Sequence, residues 1–204
     1  LFRSLMDTVF ADVARLEAVA PEGFRASVNL SGVNFMDVQL IPMVNSLLAA
    51  RGVPATRLEF ELTETVLMRD LDYATAILNR LREMGVRVAV DDFGTGYSSL
   101  AYLRRLPITT LKIDKAFIDD LGRPGDTEDA AITTTVIAMA RSLGLNVVAE
   151  GVESAALAEL LRQLECPFGQ GYWFGEPAHS EKLVERIIAQ RYGDRSQANV
   201  VPFS

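Results

Sequence analysis

The chain has 204 residues, of which 49% are hydrophobic and 23% are charged, and this composition indicates a single globular domain rather than a disordered segment. The formal net charge of −7 argues against sequence-independent binding to a nucleic acid polymer, because that binding needs Lys and Arg to replace phosphate counterions. The chain has one cysteine and lacks an apolar run of about 18 residues, so we expect a cytoplasmic protein with no membrane contact from this segment.

The predicted elements begin with a helix over residues 5–19, and from residue 25 onward a short strand alternates with a helix six times. The six predicted pairs of strand and helix are 25–30 with 36–51, 58–62 with 71–84, 86–90 with 98–105, 109–113 with 127–143, 146–150 with 155–164, and 168–174 with 180–191. Residues 192–204 lack periodicity and are predicted to be a frayed tail or linker, which leaves residues 1–191 as the domain.

This alternation predicts a parallel sheet covered by helices, either as a TIM-like (β/α) barrel or as an open doubly wound sheet. Alternate strand residues face opposite sides, and in these strands one side is apolar while the other is polar. An open sheet would bury the polar side under apolar helices at a high cost, so we favour the barrel. A closed barrel has eight units and six are visible, so we expect either a chain that starts inside the domain or a reduced variant.

The polar side places ionisable residues at the carboxyl ends of the strands, where such barrels build their active sites. The residues at these ends are Asn29, Glu61, Asp91, Asp92, Lys112, Asp114, Glu150 and Gln170. Carboxylate and amide oxygens without imidazole or thiolate favour hard cations such as Mg²⁺ or Mn²⁺. The adjacent aspartates repel each other unless cations compensate them, and two cations would also clamp an in-line displacement at phosphorus. Lys112 could then orient the attacking water or neutralise a phosphate, and Glu150 could act as a ligand or general base.

Several of these residues also fit a purely structural role. Paired aspartates before a glycine are typical of a turn, and Lys112 with Asp114 could form an ion pair inside the barrel. We predict that Glu59 is structural and is balanced by a cation deeper in the barrel. Trp173 and Phe174 fit packing better than a surface on which bases stack.

Six motifs occur in an order and at a spacing that resemble the EAL domain family, the bacterial cyclic di-GMP phosphodiesterases, over residues 25–185. The motifs are NLS (29–31), ELTE (61–64), DDFGTGYSSL (91–100), LKIDKAFI (111–118), AEGVES (149–154) and QGYWF (170–174). The resemblance implies a TIM-like barrel that hydrolyses one phosphodiester of cyclic di-GMP to linear pGpG with two Mg²⁺ or Mn²⁺ ions.

The resemblance also implies roles for the matched residues. The implied ligands are Asn29, Glu61 and Asp91 for one metal, and Asp91 and Asp92 for the second. Lys112 resembles the lysine that holds the nucleophilic water, and Glu150 the general base or a metal ligand. Three residues are expected to line the substrate site: Asp114, Glu153 and Gln170. Glu64 is expected to steady the loop 93–99, which the family associates with dimer contacts and which includes Phe93, Gly94, Thr95 and Gly96.

Two features depart from the family. The Glu-Ala-Leu signature and a following substrate-binding arginine belong on an upstream strand, and the sequence does not contain them. We therefore expect a fragment of a longer protein with an upstream sensory or regulatory domain, and weak or absent activity for the chain alone. Residues 174–177 (FGEP) lack the basic residue that many members carry before the proline. A non-catalytic cyclic di-GMP receptor or allosteric signalling module stays open as the alternative function.

Overall fold

The structure is a computed structural model that describes residues 2–94, 100–119, 121, 128–192 and 200–202. The strands among these residues are β1 (Ala26–Asn29), β2 (Leu58–Thr63), β3 (Arg87–Phe93), β4 (Thr110–Ile113), β5 (Asn146–Ala149), β6 (Phe168–Gln170) and β7 (Val200–Pro202). The helices are α1 (Phe2–Leu16), α2 (Gly32–Phe35), α3 (Leu40–Arg51), α4 (Glu64–Met68), α5 (Leu71–Met84), α6 (Leu100–Leu103), α7 (Lys115–Asp119), α8 (Glu128–Ser142), α9 (Ala155–Gln163) and α10 (Ser180–Tyr192).

The seven strands form one sheet in chain order, from β1 at one edge to β7 at the other. Strands β1 to β6 are parallel and are separated by helices, so the six predicted units are confirmed and form part of a TIM-like barrel. β7 runs antiparallel to β6, and the prediction of a frayed tail is therefore wrong for Val200–Pro202. Three residues are too few to show a strand period, and their pairing with β6 depends on a partner distant in sequence.

The apolar side of the strands faces the helices, as predicted. The buried strand residues on this side include Val28, Phe60, Leu62, Val88, Val90, Leu111, Ile113 and Val147. Helix α1 packs against α3 and lies over the same core. On the opposite side of β1, Ser27 and Asn29 are exposed, because β1 pairs only with β2 among the described strands. None of the helices that the structure describes is long and apolar enough to cross a membrane.

Four of the helices have only four or five residues each: α2, α4, α6 and α7. Helix α6 lies within the short helix predicted over 98–105. The other three were not predicted as separate elements, because one helical turn is too short to show an apolar period. The predicted helix over 36–51 therefore begins four residues later, at α3. By contrast, α5 has its predicted bounds, because Asp70 accepts a hydrogen bond from the Tyr73 amide at its start and Gly85 adopts φ +92° at its end.

A β-bulge interrupts β3 just before its end. Val90 pairs with Leu111 and Phe93 with Ile113, so three steps along β3 match two steps along β4. Asp92 lies inside this bulge in the left-handed region, with φ +54°. The bulge shifts the alternation by one residue and returns Phe93 to the core, where it is 4% exposed. The prediction that this strand ends at residue 90 is therefore wrong, because β3 continues to Phe93.

Candidate metal and catalytic site

Lys112 is the centre of a carboxylate cluster that four adjacent strands build. Lys112 lies on β4 and is 4% exposed. Its Nζ lies 2.7 Å from Glu61 Oε2 on β2, 3.3 Å from Asp91 Oδ1 on β3 and 2.6 Å from Glu150 Oε1, directly after β5. The parallel register brings the carboxyl ends of these strands together, so the predicted convergence of the four residues is confirmed.

The cluster fixes the charge of the lysine. Burial acts to lower the pKa of Lys112, but the charges of Glu61 and Glu150 outweigh it and hold this pKa above its ordinary value. Lys112 is therefore a permanent cation at neutral pH and not a proton acceptor. Burial raises the pKa of the Glu150 carboxyl, and the opposing effect of Lys112 does not cancel it. Glu150 is thus better suited than an exposed glutamate to accept a proton near neutral pH.

The paired aspartates lie beside this cluster at an electrostatic cost. Burial raises the pKa of Asp92, and the charge of Asp91 and a hydrogen bond with Asp114 raise it further. Because the bulge shifts the alternation between these two neighbours, both carboxylates can approach Glu150. Carboxylate oxygens of Asp91, Asp92 and Glu150 lie within 4.8 Å of one another.

The residues present fit a hard divalent cation. Asp91 Oδ1 is buried and accepts no hydrogen bond from any described residue, and it shares the Lys112 ammonium, at 3.3 Å, with Glu61 and Glu150. One ammonium shared by three carboxylates leaves net negative charge in a largely buried site, and a divalent cation would relieve it. The three grouped side chains offer only oxygen atoms, which is the ligand chemistry of Mg²⁺, Mn²⁺ and Ca²⁺ rather than of structural zinc.

Three further predicted residues lie around this cluster with contacts of their own. Asn29 ends β1 beside Glu61 in the register and is exposed. Asp114 follows β4, and its Oδ1 accepts a hydrogen bond of 2.7 Å from the Ala116 amide at the start of α7. Gln170 ends β6 and is half-buried, and its main-chain oxygen accepts a hydrogen bond from the Val152 amide.

The predicted loop residues are only partly described. Glu64 is the first residue of α4, is buried, and has an Oε2 atom without a hydrogen-bond partner in the part of the chain that the structure describes. Phe93 packs in the core, and Gly94 adopts φ +102° against the ring of Phe117. The remaining predicted loop residues, Thr95 and Gly96, lie outside the described residues.

An ion pair above the cluster was not foreseen from the sequence. Lys115 at the start of α7 donates a hydrogen bond to Glu153, which is exposed, so Glu153 does not join the carboxylates around Lys112. The Lys115 side chain crosses Gly151, where φ is +71° and an added Cβ would overlap the lysine. Gly171 likewise packs against the main chain of Val152. The two glycines, in the AEGVES and QGYWF motifs, could have indicated these contacts from the sequence, because glycine is common where another segment approaches the backbone closely.

The two aromatic residues of the last motif differ in environment. Phe174 is buried in the core, which confirms its predicted packing role. Trp173 is 50% exposed, so the prediction that it packs inside the barrel is wrong. The main-chain amide of Trp173 donates to the Val152 oxygen, and this turn directs the indole away from the core.

The chain is similar to proteins of one known family. The model of the EAL domain family matches residues 1–177. The cyclic di-GMP phosphodiesterase NbdA of Pseudomonas aeruginosa is 43% identical over 181 residues, which cover 89% of this chain and 23% of NbdA. The bifunctional diguanylate cyclase and cyclic di-GMP phosphodiesterase MucR of the same organism is 44% identical over 161 residues, covering 79% of this chain and 23% of MucR. The chain thus spans about a quarter of the length of these curated relatives.

Solved structures extend the similarity to the fold. The MucR phosphodiesterase in complex with cyclic di-GMP superimposes with a TM-score of 0.84 at 39% identity, covering 89% of this chain and 72% of that one. Klebsiella pneumoniae BlrP1 in a complex with manganese and cyclic di-GMP gives a TM-score of 0.78 at 27% identity, covering 87% of this chain and 44% of that one. With a family match over most of its length and these relatives, the chain belongs to the EAL domain family.

Proposed function

We propose that the chain forms the catalytic part of a metal-dependent phosphodiesterase that hydrolyses cyclic di-GMP to linear pGpG. The observation that carries this proposal is the buried Lys112 ammonium held by three carboxylates, beside a group of oxygens that fits a divalent cation. The names of NbdA and MucR, and the complex of MucR with cyclic di-GMP, support the same substrate.

The proposed cofactors are two Mg²⁺ or Mn²⁺ ions. Asn29, Glu61 and Asp91 would hold one ion, and Asp91 and Asp92 the other. When bound, such ions stabilise negative charge at phosphorus and lower the pKa of a coordinated water. The buried Asp91 Oδ1 accepts no hydrogen bond and shares the Lys112 ammonium with two other carboxylates, which supports a ligand role for this residue. The complexes of BlrP1 with manganese and with calcium support divalent cations in the family.

Lys112 and Glu150 are proposed to position the attacking water and to accept its proton. Lys112 keeps its positive charge and holds the attacking water, while its 2.6 Å contact orients Glu150. Glu150 accepts the proton of that water as the new bond to phosphorus forms and the bond to the leaving sugar oxygen breaks. Its raised pKa supports this role, because a base is most effective when its pKa lies near the working pH.

Residues outside the carboxylate cluster complete the proposed site. Asp114, Glu153 and Gln170 would line the substrate site, and Glu64 would steady the loop 93–99 at a homodimer contact. An upstream sensory or regulatory domain is supported by the greater length of the relatives. A cytoplasmic location is in keeping with the single, buried, unpaired thiol of Cys166.

One experiment tests the proposal against the alternative of a non-catalytic receptor. Cyclic di-GMP is incubated with this chain, and with the same chain extended upstream through the Glu-Ala-Leu signature, in Mg²⁺ or Mn²⁺, and linear pGpG is measured by chromatography. We expect turnover by the extended protein that a chelator abolishes. Binding of cyclic di-GMP without any linear product from the extended protein would overturn the enzyme and support the receptor.

A further inference from the structure

Three arginines stand at the opposite ends of the strands from the metal cluster. Arg25 directly precedes β1, Arg57 directly precedes β2, and Arg87 is the first residue of β3. All three occupy the same alternating positions as Glu59, which belong to the polar side of the strands. Together they line one cavity of about 400 Å³, whose wall also includes Glu17.

One of the three guanidinium groups is fully used by the protein. Arg57 donates from Nε to Glu17 Oε2 at 2.8 Å and from Nη2 to Glu17 Oε1 at 3.1 Å. Its Nη1 donates to the main-chain oxygens of Pro21 and Phe24. Arg57 is therefore held firmly in one wall of the cavity, and the charge of Glu17 is compensated by the charge of Arg57.

The other two guanidinium groups have no such partner. Neither Arg25 nor Arg87 forms a hydrogen bond or a close ion pair within the described part of the chain. Burial lowers the pKa of Arg25, and the charge of Arg87 lowers it further. The buried carboxylate that acts on both is Glu59, and it accepts a hydrogen bond of 3.1 Å from Thr110 on β4.

The charge of Glu59 offsets part of the repulsion between the half-buried Arg25 and Arg87, and an anion in the cavity would offset more of it. We propose that Arg25 and Arg87 form a binding site for a phosphate group in this cavity, one wall of which is fixed by Arg57. A guanidinium presents a planar fork of donors that matches phosphate oxygens, and a phosphate dianion matches two cations better than a singly charged carboxylate does. The other acidic residue of the wall, Glu22, is exposed.

The site is separate from the proposed catalytic cluster. Glu61 lies four residue steps after Arg57, which corresponds to roughly 13 Å along an extended strand. The volume exceeds what a single inorganic phosphate needs, so the cavity also admits a small phosphate monoester. Glu59 lies between the two ends, and the charges of Arg25 and Glu61 shift its pKa in opposite directions.

Calorimetric titration of the metal-free chain with inorganic phosphate tests the proposal. A chelator removes cations that would bind phosphate at the other end of the strands, and the ionic strength is held constant. We expect saturable binding, with the affinity reduced about tenfold or more by Arg25→Gln and by Arg87→Gln, because each variant removes a charged donor of hydrogen bonds to the phosphate. The matched control is Arg69→Gln, which removes the same charge from an exposed position after α4 and should leave binding unchanged.

Competition identifies the ligand class. We expect a nucleoside monophosphate to displace inorganic phosphate, while acetate at the same concentration does not. Absence of saturable binding, equal affinity in Arg25→Gln, or equal competition by acetate would each overturn the assignment. If a Gln variant fails to fold, Arg25→Lys and Arg87→Lys keep the charge without the fork, and unchanged affinity in both would also overturn it.

Discussion

Glu150 Oε1 lies 2.6 Å from Lys112 Nζ, and this contact between a half-buried carboxylate and a buried ammonium joins the ends of two neighbouring parallel strands. The pair is not isolated, because Glu61 and Asp91 approach the same ammonium. One cation thus holds three carboxylates that would otherwise repel one another. The arrangement makes Lys112 both a structural centre of the cluster and the proposed holder of the attacking water.

Replacement of this lysine should therefore affect stability as well as catalysis. We expect Lys112→Met to lower the free energy of unfolding by about 3–5 kcal/mol, because it leaves buried carboxylates without their cation. Denaturant unfolding measures the change, and Lys182→Met is the control at an exposed position. Mg²⁺ or Mn²⁺ should recover part of the lost stability, and a loss of under 1 kcal/mol would contradict the central role of Lys112.

Asp91 should be essential for metal binding and turnover. In the extended protein we expect Asp91→Asn to reduce hydrolysis at least ~100-fold, because the amide has no charge with which to compensate the cations. In the chain itself the affinity for Mn²⁺ should fall, as measured by calorimetry. The control is Asp72→Asn, whose carboxylate is 91% exposed. Retained hydrolysis in Asp91→Asn would rule out the bridging role.

The buried carboxyl of Glu59 predicts an unusual dependence of the free energy of unfolding on pH. Burial raises the pKa of Glu59 above its unfolded value, despite the nearby charges of Arg25 and Arg87. The folded state then holds the proton more tightly, so the contribution of Glu59 to stability is greatest below the unfolded pKa of 4.5 and falls as pH rises through the folded pKa.

Removal of this ionisation should stabilise the chain at neutral pH. We expect Glu59→Gln to raise the unfolding midpoint at pH 7 relative to the parent chain, and the gain to disappear below pH 4.5. Thermal unfolding at several pH values measures the difference. The exposed Glu83→Gln serves as the control and should show no such dependence. A lower midpoint for Glu59→Gln at pH 7 would contradict the predicted sign.

Gly144 and Gly151 have the same backbone angle, so substitution of each in turn distinguishes the cost of lost space from the cost of backbone strain. Gly151 and Gly144 both have φ +71°, but an added Cβ at Gly144 meets nothing within 4 Å, whereas at Gly151 it overlaps Lys115. We expect Gly144→Ala to cost about 1–2 kcal/mol of unfolding free energy from the left-handed backbone alone. Gly151→Ala should cost clearly more and should weaken the pair of Lys115 with Glu153. Equal costs would show that the close approach carries no energy.

The inner cluster was predictable because strand alternation is local. Once the strands were placed, parity alone put Glu61, Asp91, Lys112 and Glu150 on one side, and parallel pairing brought their ends together. The charges of Arg25 and Arg87 act on Glu59 as predicted, but they do not cancel the effect of burial on its pKa, so the predicted balance is only partial.

Features that depend on pairing between distant segments were not predictable in this way. The bulge in β3 arises only against β4, and β7 is a strand only because β6 offers an edge. The partner of Glu153 could not be foreseen either, because a side-chain contact with Lys115 depends on the close approach at Gly151 and not on a sequence period.

The bulge in β3 also changes the spacing between side chains that face the same side of the strand. Residues on the same side of a regular strand are roughly 6.6 Å apart, whereas consecutive Cα atoms are separated by about 3.8 Å. By shifting the alternation at Asp92, β3 directs two neighbouring carboxylates toward one cluster at the shorter of these intervals. One strand therefore supplies two carboxylates to the group with Glu150, where a regular alternation would supply one. A one-residue deletion at the bulge should restore the regular alternation and leave β3 with a single carboxylate in that group.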